Sequence, residues 1–372
     1  MKKVIDICTS VNISVMAATL LLTSCTKKDD ESVSWQPVIQ NDGWQISGAG
    51  KQNIDSVSLN NFYKEASKLD NLYGLLVVKN GYLVAEKYFN GKLANDATST
   101  ASVTKSITSA LAGIAIREGF ITGKNQKLKD FFPEINWGST DPRKSEVTVE
   151  QILQMRSGYP WEESDGYLNT LFQTSNWIPL LLQFPLMHDP GTQFGYSNFT
   201  AHIMGIIVSR SSKKTLLAFA NDYLFDEMGI SVPYWPADPS GYYYGMGDIY
   251  LSPRSLAKFG QLYLDNGVWN NIQLIPSEWV SQSLQVYSAS TYSREILTYI
   301  HNLQYGYLWW SGTSGDHQIW FAWGHGGQMI VIIRDLNMVI VTTAAPQSTF
   351  DNYSWVKESS VMELVGQFIS NI

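Results

Sequence analysis

Strand-forming sequence is concentrated toward the two ends of this chain and nearly absent from its middle third, so any single fold it adopts must bring those distant ends together. Leu72 to Lys79 and Tyr82 to Phe89 are apolar, β-branched-rich runs joined by Asn80-Gly81. That pair tolerates the positive φ angles of a type I′ turn, so the runs predict an antiparallel hairpin. Much later, Leu303 to Trp310, Gln318 to Trp323, Gln328 to Arg334 and Met338 to Thr343 are rich in aromatic or β-branched residues, with Asp335-Leu336-Asn337 as a turn. One antiparallel sheet built from both groups is the simplest packing.

Helical patterning surrounds and separates these strands. Val57, Leu59, Phe62, Ala66 and Leu69 recur at near-helical spacing between Ile54 and Leu69, and a last helix fits Trp355 to Ile369. Ala101 to Glu118 carries Val103, Ile107, Ala110, Leu111 and Ile114 on one side, with Gly119 placed to stop it. From about Lys124 to Trp279 the signals are helical: Thr148-Val149-Glu150-Gln151 has capping-box form, and long periodic runs begin near Phe199 and Leu251. The expected organisation is an α+β fold, with residues 51–123 and 290–372 forming an antiparallel sheet flanked by N- and C-terminal helices, and residues 124–289 an inserted all-helical subdomain.

The first 25 residues are set apart from that fold. Lys2 and Lys3 precede an apolar run from Ile13 to Leu22 that is too short for a span of about twenty residues, which is the form of a signal peptide. It ends in Leu22-Thr23-Ser24-Cys25, similar to a lipobox whose cysteine becomes the lipidated first residue of a mature lipoprotein; an ordinary cleaved signal with an incidental cysteine fits the same residues. Thr26-Lys27-Lys28-Asp29-Asp30-Glu31 resembles the acidic tract of surface-exposed lipoproteins or is a solvated linker, and residues 26–50 are read as a tether. The expected location is the cell envelope, anchored to the outer membrane through Cys25. Cys8 and Cys25 are the only cysteines, so residues 26–372 contain no disulfide, catalytic cysteine or cysteine-based zinc site. With a net charge of −7 and scattered basic residues, the chain has no footprint for a nucleic-acid backbone.

Ser102-Val103-Thr104-Lys105 opens a helix, and residues three apart share a helical face, so the Lys105 amine can reach the Ser102 hydroxyl. A serine becomes a useful nucleophile when a neighbouring base takes its proton, and a desolvated lysine can lose its own proton to act as that base. The helix N-terminus adds partial positive charge where an oxyanion would form. Two further elements follow in order: Tyr196-Ser197-Asn198 before a helix, and Trp323-Gly324-His325-Gly326-Gly327-Gln328 leading into a strand. Taken singly, Tyr196 reads as an aromatic packed on a helix, Asn198 as a helix cap and His325 as a side chain under the sheet edge.

Together the three elements resemble the ordered signatures of the penicillin-recognising serine hydrolases, with Tyr196-x-Asn198 similar to the Tyr-x-Asn of class C β-lactamases. His325-x-Gly327 stands where Lys-Ser/Thr-Gly is usual and resembles the branch of carboxylesterases and 6-aminohexanoate-oligomer hydrolases. The resemblance implies a β-lactamase/transpeptidase-like fold over roughly residues 55 to 370, no cofactor, and a small ester, amide or peptide-like substrate. It also implies roles: Ser102 as nucleophile, Lys105 and Tyr196 sharing base and acid duties, Asn198 orienting Lys105 or substrate, and the backbone amides of Ser102 and Gln328 as oxyanion hole. His325, Gly327 and Trp323 would border the substrate. Without a third-motif lysine and hydroxyl, recognition of a β-lactam carboxylate is in doubt; a β-lactamase or D-amino-acid peptidase, and a lipoprotein that binds without turnover, remain as alternatives. An α/β-hydrolase is excluded because no Gly-x-Ser-x-Gly occurs, and His188, His202, His301 and His317 are too dispersed to suggest a metal site.

Overall fold

The chain's early hairpin and its late strands meet in a single sheet. A computed structural model describes residues 34–289, 297–347 and 352–372; the leader, Cys25 and the acidic tract lie outside the described residues. In chain order the strands are β1 (Leu72–Lys79), β2 (Tyr82–Tyr88), β3 (Thr98–Ser99), β4 (Tyr250–Leu251), β5 (Val268–Trp269), β6 (Ile272–Gln273), β7 (Ser288–Ala289), β8 (His301–Tyr305), β9 (Trp310–Ser314), β10 (His317–Gly324), β11 (Gln328–Ile333) and β12 (Met338–Ala344). Eight of them form the main sheet in the order β2-β1-β12-β11-β10-β9-β8-β7, and β1 pairs antiparallel with β12, Leu76 opposite Val341. The crossover from β2 to β7 is where the helical residues are inserted.

Local sequence decides several of these elements. Asn80 and Gly81 take φ of +52° and +79°, as a type I′ turn requires. Thr148 and Gln151 form a reciprocal capping box, each side chain accepting from the other's backbone amide, at 3.2 and 3.0 Å. The run from Leu303 to Trp310, expected as one strand, is two. Gly306 interrupts it because the chain there presses against another segment, and a Cβ on Gly306 would stand 2.1 Å from the Ser283 carbonyl oxygen.

Every residue of β11 and β12 is buried, so helices cover both faces of the sheet. The Ser56–Ala66 and Asn352–Ser370 helices pack on each other, Phe62 stacking on Phe368 with ring centroids 4.1 Å apart. The Pro253–Leu264 helix, which belongs to the chain's middle third, lies against the sheet so closely that a Cβ on Gly260 would sit 2.6 Å from Val339. The Val103–Arg117 helix is buried on all sides through Ala115, the pattern of a helix at the centre of a fold rather than on its surface.

Residues 34–50, read as part of a tether, instead run along the body. Trp35 is buried and its carbonyl accepts from the Glu86 amide at 2.8 Å, while Val38 donates to the Glu86 carboxylate at 2.9 Å. Arg254 closes the arrangement, pairing with Glu86 (Nε–Oε2 2.9 Å), with Asp42 (2.8 Å) and with the Val38 carbonyl (2.6 Å). The segment therefore remains largely exposed while Trp35, the Val38 backbone and Asp42 fasten it to the body.

Removing one member of a buried ion pair strands the other charge, a cost of about 3 kcal/mol or more. Glu86→Ala is therefore expected to lower the unfolding free energy by about that amount in chemical denaturation; a change below about 0.5 kcal/mol would contradict the role given to the Arg254–Glu86 pair.

Candidate active site

Ser102 occupies the N-cap position of the Val103–Arg117 helix, yet its hydroxyl makes no capping bond. It meets Lys105 instead, Nζ to Oγ 2.8 Å. The turn that presents it is strained: Ala101 takes φ +46°, a conformation costing an L-residue about 1–2 kcal/mol. Long-range bonds hold it there. The short β3–β4 pairing sets Ser99 opposite Tyr250, the Asp248 amide donates to the Ala101 carbonyl at 3.1 Å, and the Ser99 hydroxyl donates to Asp248 Oδ1 at 2.6 Å. Strain retained at one residue and opposed by its surroundings is a common mark of a functional turn.

Lys105 is 1% exposed and satisfies its ammonium with three acceptors, each at 2.8 Å: Ser102 Oγ, Asn198 Oδ1 and the Met246 carbonyl. The Tyr196 ring lies beneath it, 4.9 Å from Nζ to centroid. Burial lowers the Lys105 pKa to about 8, and the carboxylates of Glu163, Glu162 and Asp248 push in the opposite direction.

Tyr196 and Asn198 are delivered by the start of the Asn198–Ser212 helix, whose N-cap is Ser197; the cap is thus the middle residue of the motif, leaving Asn198 free of that duty. The Ser197 hydroxyl accepts from the Thr200 amide at 3.1 Å and donates to Glu162 at 2.6 Å. Glu162 also accepts the Asn198 and Phe199 amides at 2.9 and 3.0 Å, a carboxylate on the positive end of the helix. It is fully buried, and desolvation raises its pKa to about 7 against the lowering effect of those bonds. The Asn198 amide group is oriented from both sides, its Nδ2 donating to Glu163 at 3.2 Å. Tyr196 stacks on Trp310 at 5.6 Å.

The third motif forms the tight turn between β10 and β11. Gly326 and Gly327 take φ of +92° and +98°, and a Cβ on Gly327 would meet Val361 at 2.9 Å. A serine or threonine at position 326 would be strained, so the missing hydroxyl is written into the backbone. Glu358, from the last helix, gathers the turn: it accepts from the Trp323 indole (2.7 Å) and the Gly326 amide (2.8 Å) and bonds His325 Nδ1 (2.5 Å). Gly324 brings β10 flush with the Thr100–Ser102 turn, where a Cβ would fall 2.4 Å from the Thr100 carbonyl oxygen.

Ser102, Tyr196, Asn198, Trp323 and His325 line one pocket, with Lys105 directly behind Ser102 and Asn198. Gly327 and Gln328 are buried behind His325, and the Gln328 side chain is turned away, pairing with both backbone groups of Ala344 at 2.8 and 2.9 Å. Leu168, Phe172 and Trp310 add an apolar wall; Glu163, Asp248 and Glu358 add carboxylates, and among the described residues neither lysine nor arginine is on the lining. Glu162, Glu358 and Met246 were not singled out from sequence: the carboxylates act across 32 to 37 positions, and Met246 acts through its carbonyl, which any residue would supply.

The Beta-lactamase family model matches residues 68–353, and the chain belongs to that family. It is similar to the 6-aminohexanoate-dimer hydrolase of Paenarthrobacter ureafaciens, 24% identical over 224 residues that cover 56% of each chain. It is also similar to Protein flp of Staphylococcus aureus strain MW2, 23% identical over 40% of this chain and 32% of that one, so the chain spans about a third of one of these relatives and just over half of the other. Among solved structures it resembles EstCE1, a hydrolase with promiscuous acyltransferase activity (TM-score 0.65, 11% identity, covering 83% and 98% of the chains). A penicillin binding protein from Bacillus halodurans is similarly close (TM-score 0.62, 15% identity, 82% and 99%). The antiparallel sheet, its flanking helices and the β-lactamase/transpeptidase-like fold agree with what the motifs implied.

The surroundings of Lys105 are open to direct titration. With 13Cε-labelled lysine, the resonance lost in Lys105→Met is expected to titrate with a midpoint of about 8, against the ordinary 10.5; a midpoint above about 10 would contradict the desolvated site.

Proposed function

We propose that the protein is a serine hydrolase that cleaves an ester or amide bond through an acyl-enzyme on Ser102. The observation that carries this reading is the set of acceptors around Lys105. Neither Asn198 Oδ1 nor the Met246 carbonyl has a proton to give, so each must take an N–H from Lys105. When the amine is neutral its two protons face them, and its lone pair is left for Ser102 Oγ 2.8 Å away. A pKa of about 8 keeps roughly a tenth of the molecules in that state at pH 7.

In the reaction Ser102 Oγ bonds to the substrate carbonyl carbon as its proton passes to Lys105. The carbonyl oxygen becomes an oxyanion held by the Ser102 and Gln328 amides, a contribution of about 3 kcal/mol per donor in sites of this kind. Collapse breaks the bond to the leaving alcohol or amine, which takes a proton from Lys105 directly or through Tyr196. Water then attacks the acyl carbonyl, gives its proton to the same pair, and Ser102 departs with a proton restored.

Esters and amides without a carboxylate beside the scissile bond suit this pocket better than β-lactams. Held by a lysine, a ligand carboxylate gains a charge-assisted bond of about 1.5–3 kcal/mol. Here the lining offers His325, already committed through Nδ1 to Glu358, together with Glu163 and Asp248. The apolar wall of Leu168, Phe172 and Trp310 suits an acyl chain. These features favour the esterase or amidase reading over a β-lactamase or D-amino-acid peptidase, and the Ser102–Lys105 contact speaks against binding without turnover.

Short-chain p-nitrophenyl esters are expected to be turned over with kcat/KM about a hundredfold above that of penicillins and cephalosporins. Ser102→Ala should abolish ester turnover in a protein of unchanged circular dichroism. Ester activity within about tenfold of wild type in Ser102→Ala would overturn the nucleophile assignment, and equal efficiency on β-lactams would overturn the substrate reading.

A further inference from the structure

A second buried constellation stands next to the site and takes no part in the chemistry above. His202 lies one helical turn after Asn198 and is fully buried, with the Trp177 ring edge-on at 4.7 Å. The Gly245 amide donates to His202 Nδ1 at 3.2 Å, and His202 Nε2 faces Asp238 Oδ2 at 3.2 Å. Facing an N–H, Nδ1 must be the acceptor, so the ring is neutral with its proton on Nε2, donated to Asp238. Burial, holding the ring below the usual histidine range despite Asp238, favours the same state. The other Asp238 oxygen accepts the Ser240 and Tyr242 amides at 2.8 and 2.9 Å, which anchors the pair to the loop it constrains.

That loop leads to the catalytic lysine. Gly245 approaches the His202 helix so closely that a Cβ would lie 2.7 Å from the Ala201 carbonyl oxygen, and its own carbonyl accepts from Thr108 at 2.7 Å. The next carbonyl, that of Met246, is the Lys105 acceptor. Thr108 is one turn beyond Lys105 on the nucleophile helix, so the 245–246 backbone is fastened to one helix through His202 and to the other through Thr108.

We propose that His202 and Asp238 are a positioning pair that holds the Met246 carbonyl against Lys105, so that the amine's lone pair is directed at Ser102. The pair touches no substrate. It deepens the reading of Lys105 as the base for Ser102 and rests on it. Removal of the Nδ1 acceptor frees the Gly245 amide, lets the Met246 carbonyl turn away and leaves Lys105 able to aim its lone pair elsewhere.

Two substitutions separate positioning from packing. His202→Asn and His202→Leu both forfeit the contact to Asp238 and leave similar space, so both should lower the thermal midpoint. Asn Oδ1, however, occupies the place of Nδ1 and can still accept from Gly245. Per folded molecule, kcat for a p-nitrophenyl ester is expected to stay within about threefold of wild type in His202→Asn and to fall about tenfold or more in His202→Leu, with KM unchanged in both. Equal kcat in the two variants would overturn the proposal. The Lys105 resonance supplies a readout independent of turnover: its midpoint should move by about half a unit or more in His202→Leu and not in His202→Asn. If Ser102 proves not to be the nucleophile, that titration alone decides, and an unmoved midpoint in His202→Leu would overturn the clamp.

Discussion

An ammonium group withdrawn from water must be given acceptors, and the three around Lys105 come from three separated parts of the chain: its own helix, the start of the Asn198–Ser212 helix, and the loop before β4. Each acceptor has to be held, or the buried charge would be met only part of the time. Glu162 fixes the helix start that carries Asn198, His202 and Thr108 fix the backbone before Met246, and the β3–β4 pairing fixes the turn that carries Ser102. The same enclosure that demands the acceptors lowers the lysine pKa, so the demand for structural satisfaction and the readier loss of a proton have one cause.

The sheet's part in this is to bring its late strands up to the turn that carries Ser102. Gly324 allows β10 to touch the Thr100–Ala101 turn, and the Gly326-Gly327 turn lets Glu358 collect an indole, an imidazole and an amide on one carboxylate. A carboxylate with three donors needs no further counter-charge from the pocket. The result is a third motif whose hydrogen-bond donors are used internally on Glu358, which differs in physical character from one that presents a lysine to a ligand anion.

What could be read from the sequence was what local chemistry decides. Asn80-Gly81, the Thr148–Gln151 capping box and the one-turn spacing of Ser102 and Lys105 each involve residues within a few positions of one another, and the structure has them as expected. That the early hairpin and the late strands share one antiparallel sheet followed from the hairpin at one end and the apolar runs at the other, while the order of the strands within it did not. Less legible were contacts set by close approach of distant backbone: the break at Gly306, the docking of residues 34–50 onto Arg254, and the carboxylates Glu162 and Glu358. An isolated glutamate looks the same in sequence whether it faces water or the end of a buried helix. Asn198 illustrates the boundary: its place beside the helix start was evident, while the assignment of the cap to Ser197 and of the amide to Lys105 depended on which groups the fold placed opposite them.

The central claim is that Ser102 is an activated nucleophile in a pocket that does not favour carboxylate-bearing ligands, and covalent labelling tests it most directly. Intact-protein and peptide mass spectrometry after exposure to a fluorophosphonate and, separately, to benzylpenicillin should find a stoichiometric adduct on Ser102 with the first and little or none with the second. Absence of a fluorophosphonate adduct, or its location on another serine, would contradict the account, as would rapid and complete acylation of Ser102 by benzylpenicillin.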